Sequence, residues 1–324
     1  MTKKFVLLGL FLCGSAFADV DENLEREVVK FKAHGYESRD GVVDLEINFN
    51  KDWLFKLGDV ADFFKRTYKA TGWRKLDVPH DWSIEGQIEQ KNPSGVRGGF
   101  YPMGIGCYRK TFVMDDSAKG KRVKIRFDGV YMNSDVYLNG VFLGNRPYGF
   151  STFEYDLTPH LRFDGKENVI AVRVDNSRQP NCRWYTGSGI NRNVHLYVME
   201  QQHFQSFKTF FRTEAIDGDT ATVKVDCEVI SNNYPESTQV KFQLHPEEVT
   251  FVEKEAKVVV FLKDQAGQIV AETEKKTTLR DFSEQDFSLD LKVDHPQLWS
   301  DKTPYLYELE LQLWVAGKQL DQEV

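Results

Sequence analysis

Two short stretches carry residue types suited to holding a carbohydrate. The first is Arg183-Trp184-Tyr185, which runs into Thr186-Gly187-Ser188-Gly189-Ile190. Aromatic faces stack on the C–H faces of a sugar, and a guanidinium fork donates to its hydroxyls in a fixed geometry. The second is Asp81-Trp82, directly after Val78-Pro79-His80. A proline pushes the residue before it towards extended backbone, so a strand ends here and a carboxylate and an indole follow on a loop. Each stretch also has a plainer reading. Trp184 and Tyr185 would plug the end of a β-sandwich, while Asp81 would cap a turn and Trp82 would close the core. The candidate carbohydrate-binding residues are therefore Asp81, Trp82, Arg183, Trp184 and Tyr185, with both readings open.

The elements that must position these residues are strands. A chain of 324 residues suggests about two domains. Its richness in Phe and Tyr, without long apolar stripes of helical period, points to β-rich packing. The net charge of −7 offers no basic face for phosphate backbones, which excludes nucleic acid as a partner. No glycine-rich loop precedes a helix, and no His or Cys spacing suits a metal, so neither cofactor nor metal is expected. Lys3-Lys4, the apolar run Phe5–Leu12 and Ala16-Phe17-Ala18 follow the order of a secretory signal, too short for a permanent membrane span. Residues 1–18 are expected to be a signal peptide and 19–40 a charged leader. The protein would then be exported, to the periplasm or beyond. That leaves Cys107, Cys182 and Cys227, an odd set expected to be packed thiols, although Cys107 and Cys182 could form one bridge.

Alternation sets the strands. Val43, Leu45 and Ile47 begin the pattern, with Trp53 and Phe55 after them. Ile84 to Phe100 reads as a long irregular loop, and Tyr108–Val113 resumes the strands. Val123, Ile125 and Phe127 alternate with polar residues, and Asn139-Gly140 between Val136–Leu138 and Val141–Leu143 marks a two-residue hairpin. Asn168–Val174 and Val194–Val198 complete a jelly-roll β-sandwich over residues 41–203. A second unit over 204–324 reads as an immunoglobulin-like β-sandwich of about seven strands. Its pattern runs through Val223–Val229, Val240–Leu244, Val258–Leu262, Phe287–Val293 and Tyr305–Trp314, with a last strand from Trp314 to Val324. The expected fold class is all-β.

Several of these stretches together resemble glycoside hydrolase family 2, the β-galactosidase, β-glucuronidase and β-mannosidase family. They are Val78-Pro79-His80-Asp81-Trp82, Gly106–Phe112, Phe127-Asp128-Gly129-Val130, Val136–Gly140, Gly149-Phe150, Asn168–Val172, Arg183–Val194, Pro296–Ser300 and Pro304–Tyr307. The resemblance implies a sugar-binding jelly roll, then an Ig-like domain, then a (β/α)8 barrel with two catalytic glutamates, the acid/base following an asparagine. This chain has no Asn-Glu dipeptide, and no barrel of roughly 250 residues is found in it. No catalytic residue is therefore expected here. The chain reads as the non-catalytic N-terminal portion of an exported β-galactosidase-like glycosidase, with a carbohydrate and a catalytic barrel as partners. A free-standing carbohydrate-binding module and a structural or adhesion β-sandwich are the alternatives. Relatives commonly read Ser-Gly-Ile-Tyr-Arg-Asp-Val where this chain has Asn191 and Asn193, while Arg192 is kept and is expected to stabilise the fold.

Overall fold

The computed structural model describes residues 45–232 and 251–324. The signal, the leader and the strand expected over Val240–Leu244 lie outside the described residues. Ten strands build the first sandwich. They are β1 (Leu45–Asn48), β2 (Trp53–Leu57), β3 (Arg74–Leu76), β4 (Gly104–Val113), β5 (Arg122–Phe127), β6 (Ser134–Leu138), β7 (Val141–Arg146), β8 (Phe153–Asp156), β9 (Glu167–Asn176) and β10 (Val194–Met199). One antiparallel sheet has the order β3-β2-β4-β9-β6-β7 and the other β1-β10-β5-β8. The alternation read in the sequence is the burial pattern: Val123, Ile125 and Phe127 are fully buried and face Trp53, Tyr108, Phe112 and Leu138 across the core. The Asn139-Gly140 hairpin joins β6 to β7, with both turn residues at positive φ.

The six-stranded sheet is covered on its outer face as well. Phe63 and Trp73 pack there on Cys107 and Ala171. Arg109, buried beside them, donates to the carbonyls of Phe63 (2.6 Å), Lys65 (3.0 Å), Arg66 (3.3 Å) and Tyr68 (3.4 Å). One guanidinium thus satisfies a turn whose backbone would otherwise be orphaned under the aromatic layer. Cys107, Cys182 and Cys227 are all free thiols, and burial raises Cys107 to about 11.

Among the described residues the second sandwich has eight strands. They are β11 (Gln202–Phe204), β12 (Phe210–Asp217), β13 (Thr220–Ser231), β14 (Glu253–Lys263), β15 (Ile269–Arg280), β16 (Ser283–Asp294), β17 (Glu308–Val315) and β18 (Lys318–Glu323). β13 pairs with β16 along one side and with β11 and β12 along the other, and the facing sheet has the order β15-β14-β17-β18. Two expectations change. The strand expected from Tyr305 begins at Glu308, because Tyr305 closes a turn on the Thr303 carbonyl. The run from Trp314 to Val324 is not one strand, since Ala316-Gly317 at positive φ folds β18 back onto β17.

Where the domains meet, the Arg126 guanidinium of the first sandwich lies over Tyr197 (4.3 Å) and over Phe207 of the second (4.9 Å). His203, 1% exposed, sits at the same junction. Its Nδ1 donates to the Glu200 carbonyl (3.0 Å), so Nε2 is the bare acceptor, and it is buried without a partner among the described residues. Burial, with Lys124 and Arg122 nearby, lowers its pKa from 6.5 to about 4. The unfolded chain therefore takes up a proton at higher pH than the folded one. The contribution is intact above about pH 6.5 and is lost as pH falls towards 4, by about 3 kcal/mol at most. Denaturant unfolding at pH 7.5 and pH 4.5 should show a smaller pH-dependent loss in His203→Asn than in the unaltered protein. Equal losses would show that His203 does not contribute to the slope.

Candidate functional site

The loop after β3 and the connection from β9 to β10 are laced together by backbone. The His80 N–H donates to the Ile190 carbonyl (2.7 Å) and the Trp82 N–H to the Ser188 carbonyl (3.2 Å). On the other side Gly189 exchanges two bonds with Tyr131 (2.9 Å each). Residues 188–190 are thus the middle of a three-segment ladder. A Cβ on Gly189, at φ 126°, would lie 2.3 Å from the Tyr108 hydroxyl and 2.7 Å from the His80 carbonyl, so no other residue fits.

Asp81 fastens this ladder. Its Oδ1 accepts from the N–H groups of Ser83 (3.0 Å) and Ser188 (2.9 Å), and its Oδ2 accepts from the Tyr185 hydroxyl. Burial first, and then the Asp81 carboxylate, raise the Tyr185 phenol far above its ordinary range, so it remains a donor. Tyr101 packs on the Tyr185 ring at 4.5 Å. Behind the latch, Ser83 donates to the Ser188 hydroxyl (2.7 Å), and the Asn176 amide donates to that hydroxyl (2.8 Å) and to the Gly187 carbonyl (3.0 Å). Arg74 stands 2.7 Å from His80 Nε2, and since arginine only donates, His80 is neutral there and its Nδ1 donates to Tyr108 (2.7 Å).

The structure sorts the five candidates. Asp81 and Tyr185 meet in one hydrogen bond, and Arg183 and Trp184 are exposed at the tip of the same connection, Trp184 at 60%. Trp82 is corrected. It is 4% exposed, stacks on Phe55 at 5.7 Å and crowds Gly106 and Gly189, so it has no face to offer a sugar and belongs to the core. Asp81 is an Asx turn and a clamp before it is anything else. Tyr101 and Asn176 were not anticipated, and Ser188 was read only as one of the small residues after Tyr185. Asn176 was visible only as the end of a strand, and Tyr101 sits in a stretch with no periodicity. Asn193 is tied into the sheet by Asn50 (2.9 Å), and Arg192 lies exposed with its stem against Gly129. Among the described residues no group of three or more His, Cys, Asp or Glu side chains is placed to hold a metal ion. The arrangement places an exposed indole and an exposed guanidinium beside a hydrogen-bonded base.

Residues 91–200 match the family "Glycosyl hydrolases family 2, sugar binding domain", and residues 203–324 match "Glycosyl hydrolases family 2". A beta-galactosidase of Bacteroides ovatus is 44% identical over 81% of this chain and 29% of its own length. A beta-glucuronidase of Formosa agariphila is 29% identical over 85% of this chain and 28% of its own. The crystal structure of a glycosyl hydrolase family 2 member from Bacteroides cellulosilyticus superposes with a TM-score of 0.75 at 36% identity, over 86% of this chain and 34% of that one. The chain therefore spans about a third or less of the length of these relatives.

Removing the latch should cost stability. Asp81→Ala, which orphans three donors, is expected to lose about 2–4 kcal/mol, and Tyr185→Phe about 1–2 kcal/mol. In urea unfolding the double variant should fall short of the sum by about 1 kcal/mol or more. Strict additivity would show that the two side chains do not act together.

Proposed function

This chain belongs to glycosyl hydrolase family 2, of which it carries the sugar-binding and immunoglobulin-like domains, and from that premise we propose that it is the substrate-positioning portion of an exported β-galactosidase- or β-glucuronidase-like enzyme. The observation that carries the reading is the pairing of a latched base with an exposed tip. Asp81 and Tyr185 hold the connection rigid while Arg183 and Trp184 project from it. Such a tip contributes one wall of a sugar pocket, and the reacting carboxyl pair and most of the remaining contacts belong to a (β/α)8 barrel outside these 324 residues. Ordering costs are prepaid by the latch, so the wall meets the sugar without rearrangement. Export rests on the order of charge, apolar run and small residues over residues 1–18.

A second reading, a free-standing carbohydrate-binding module, is favoured by the exposure of Trp184 in the isolated chain. Two assays separate them. Residues 41–324 are grafted in place of the matching portion of the Bacteroides ovatus beta-galactosidase, and nitrophenol release from aryl β-galactosides and β-glucuronides is followed alongside the chain alone. The expected result is background release by the chain alone and turnover by the chimera. In a chimera of unchanged melting temperature, Trp184→Ala should raise KM by about threefold or more with kcat little changed. Turnover indifferent to Trp184→Ala would contradict the proposal. Tight sugar binding by the chain alone would favour the second reading.

A further inference from the structure

The outer face of the β15-β14-β17-β18 sheet carries a site that none of the preceding chemistry uses. Cross-strand pairing sets Lys276 opposite Lys257 and Lys257 opposite Trp314, so the three lie in one row across three strands. Two residues along, on the same face, Glu255 pairs with Thr278. The Ala316-Gly317 turn closes one end, and these residues line a cleft of about 530 Å3. That volume falls within the range of roughly 300–1,000 Å3 typical of small-molecule sites.

The floor of the cleft is an aromatic ring held in place. Trp314 Nε1 donates to Gln312 Oε1 (2.9 Å), and the Lys257 ammonium stands 5.7 Å from the ring centroid. Glu274 pairs with both Lys257 (2.9 Å) and Lys276 (3.2 Å). With Glu255 the face therefore carries two cations and two carboxylates, so it selects for neither sign of charge. The side chains of Glu255 and Thr278 have no hydrogen-bond partner among the described residues, which leaves a strong acceptor and a hydroxyl free beside the ring. An immobilised indole, one free carboxylate, one free hydroxyl and two ammonium groups are what a neutral polyhydroxylated ring requires: a face to stack on, an acceptor for its O–H groups and donors for its oxygens. The openness of a sheet face, unlike a closed pocket, admits a chain from the side.

We propose that this cleft is a second carbohydrate site, which takes a neutral sugar chain along the immunoglobulin-like domain independently of the Trp184 tip. The test is calorimetric titration of the 324-residue chain with cellotetraose, xylotetraose and β-1,4-galactotetraose at millimolar sugar, repeated on three variants. Saturable binding of at least one of these that weakens about tenfold or more in Trp314→Ala and falls in Glu255→Gln, but persists in Trp184→Ala, supports the site. Glu255 is exposed, so its variant reports on binding even if Trp314→Ala loses stability. No saturable heat with any of the three sugars overturns the proposal, as does binding that is lost in Trp184→Ala and kept in Glu255→Gln. Failure here leaves the Trp184 reading standing, because that reading is tested on turnover in the chimera.

Discussion

The Asp81 carboxylate is the constraint on which the loop end of the first sandwich depends. Two backbone N–H groups, one from its own turn and one from Ser188, and the Tyr185 hydroxyl converge on it. Two loops separated by more than a hundred residues of sequence are thereby joined as one body. The join is strong because three donors converge on one charged acceptor. Its geometry leaves Gly187, at φ 76°, close to Asp81, and Gly189 pressed against Tyr108 and His80, where a side chain would collide. Arg183 and Trp184 stand exposed beside this base, in the same connection as Tyr185 and Ser188.

The rest of the domain serves to hold the base in place. Tyr108 of β4 reaches from the core to accept from His80, and its hydroxyl fills the space a side chain at residue 189 would need. Arg109, its neighbour in sequence, points the other way and pins the outer aromatic layer. Adjacent residues on one strand therefore brace the sheet from opposite faces, as the two-residue period of a strand requires. The second sandwich meets the first where Arg126 lies between the Tyr197 and Phe207 rings and where His203 is buried.

What could be read from the sequence follows the physics of alternation. β5 and β6 have one face in the core and β9 is buried on both, so all three announced themselves, and the Asn139-Gly140 turn fixed its hairpin, because only residues tolerant of positive φ fit there. β12 and β15 were missed. β12 is exposed almost throughout, and β15 buries little beyond Ala271 and Leu279, so neither leaves a periodic trace. At the site, residue types led to both loops and the family resemblance agreed, but neither could tell a latch from a ligand contact. Asp81 and Trp82 are neighbours of similar promise, yet one turns into a hydrogen-bond clamp and the other into the core. That division is set by long-range pairing with residues 188–190, which no local pattern encodes.

In the proposed reading, the Asp81–Tyr185 latch presents Trp184 to a sugar. This reading is tested most directly by following the indole N–H resonances of the 324-residue chain while methyl β-galactoside and methyl β-glucuronide are added in turn. The expected result is a saturable shift of the Trp184 indole resonance with at least one of them, no shift of the buried Trp82 resonance, and loss of the response in folded Asp81→Asn. A Trp184 resonance that stays still through millimolar concentrations of both sugars, or that shifts equally with and without the latch, would contradict it.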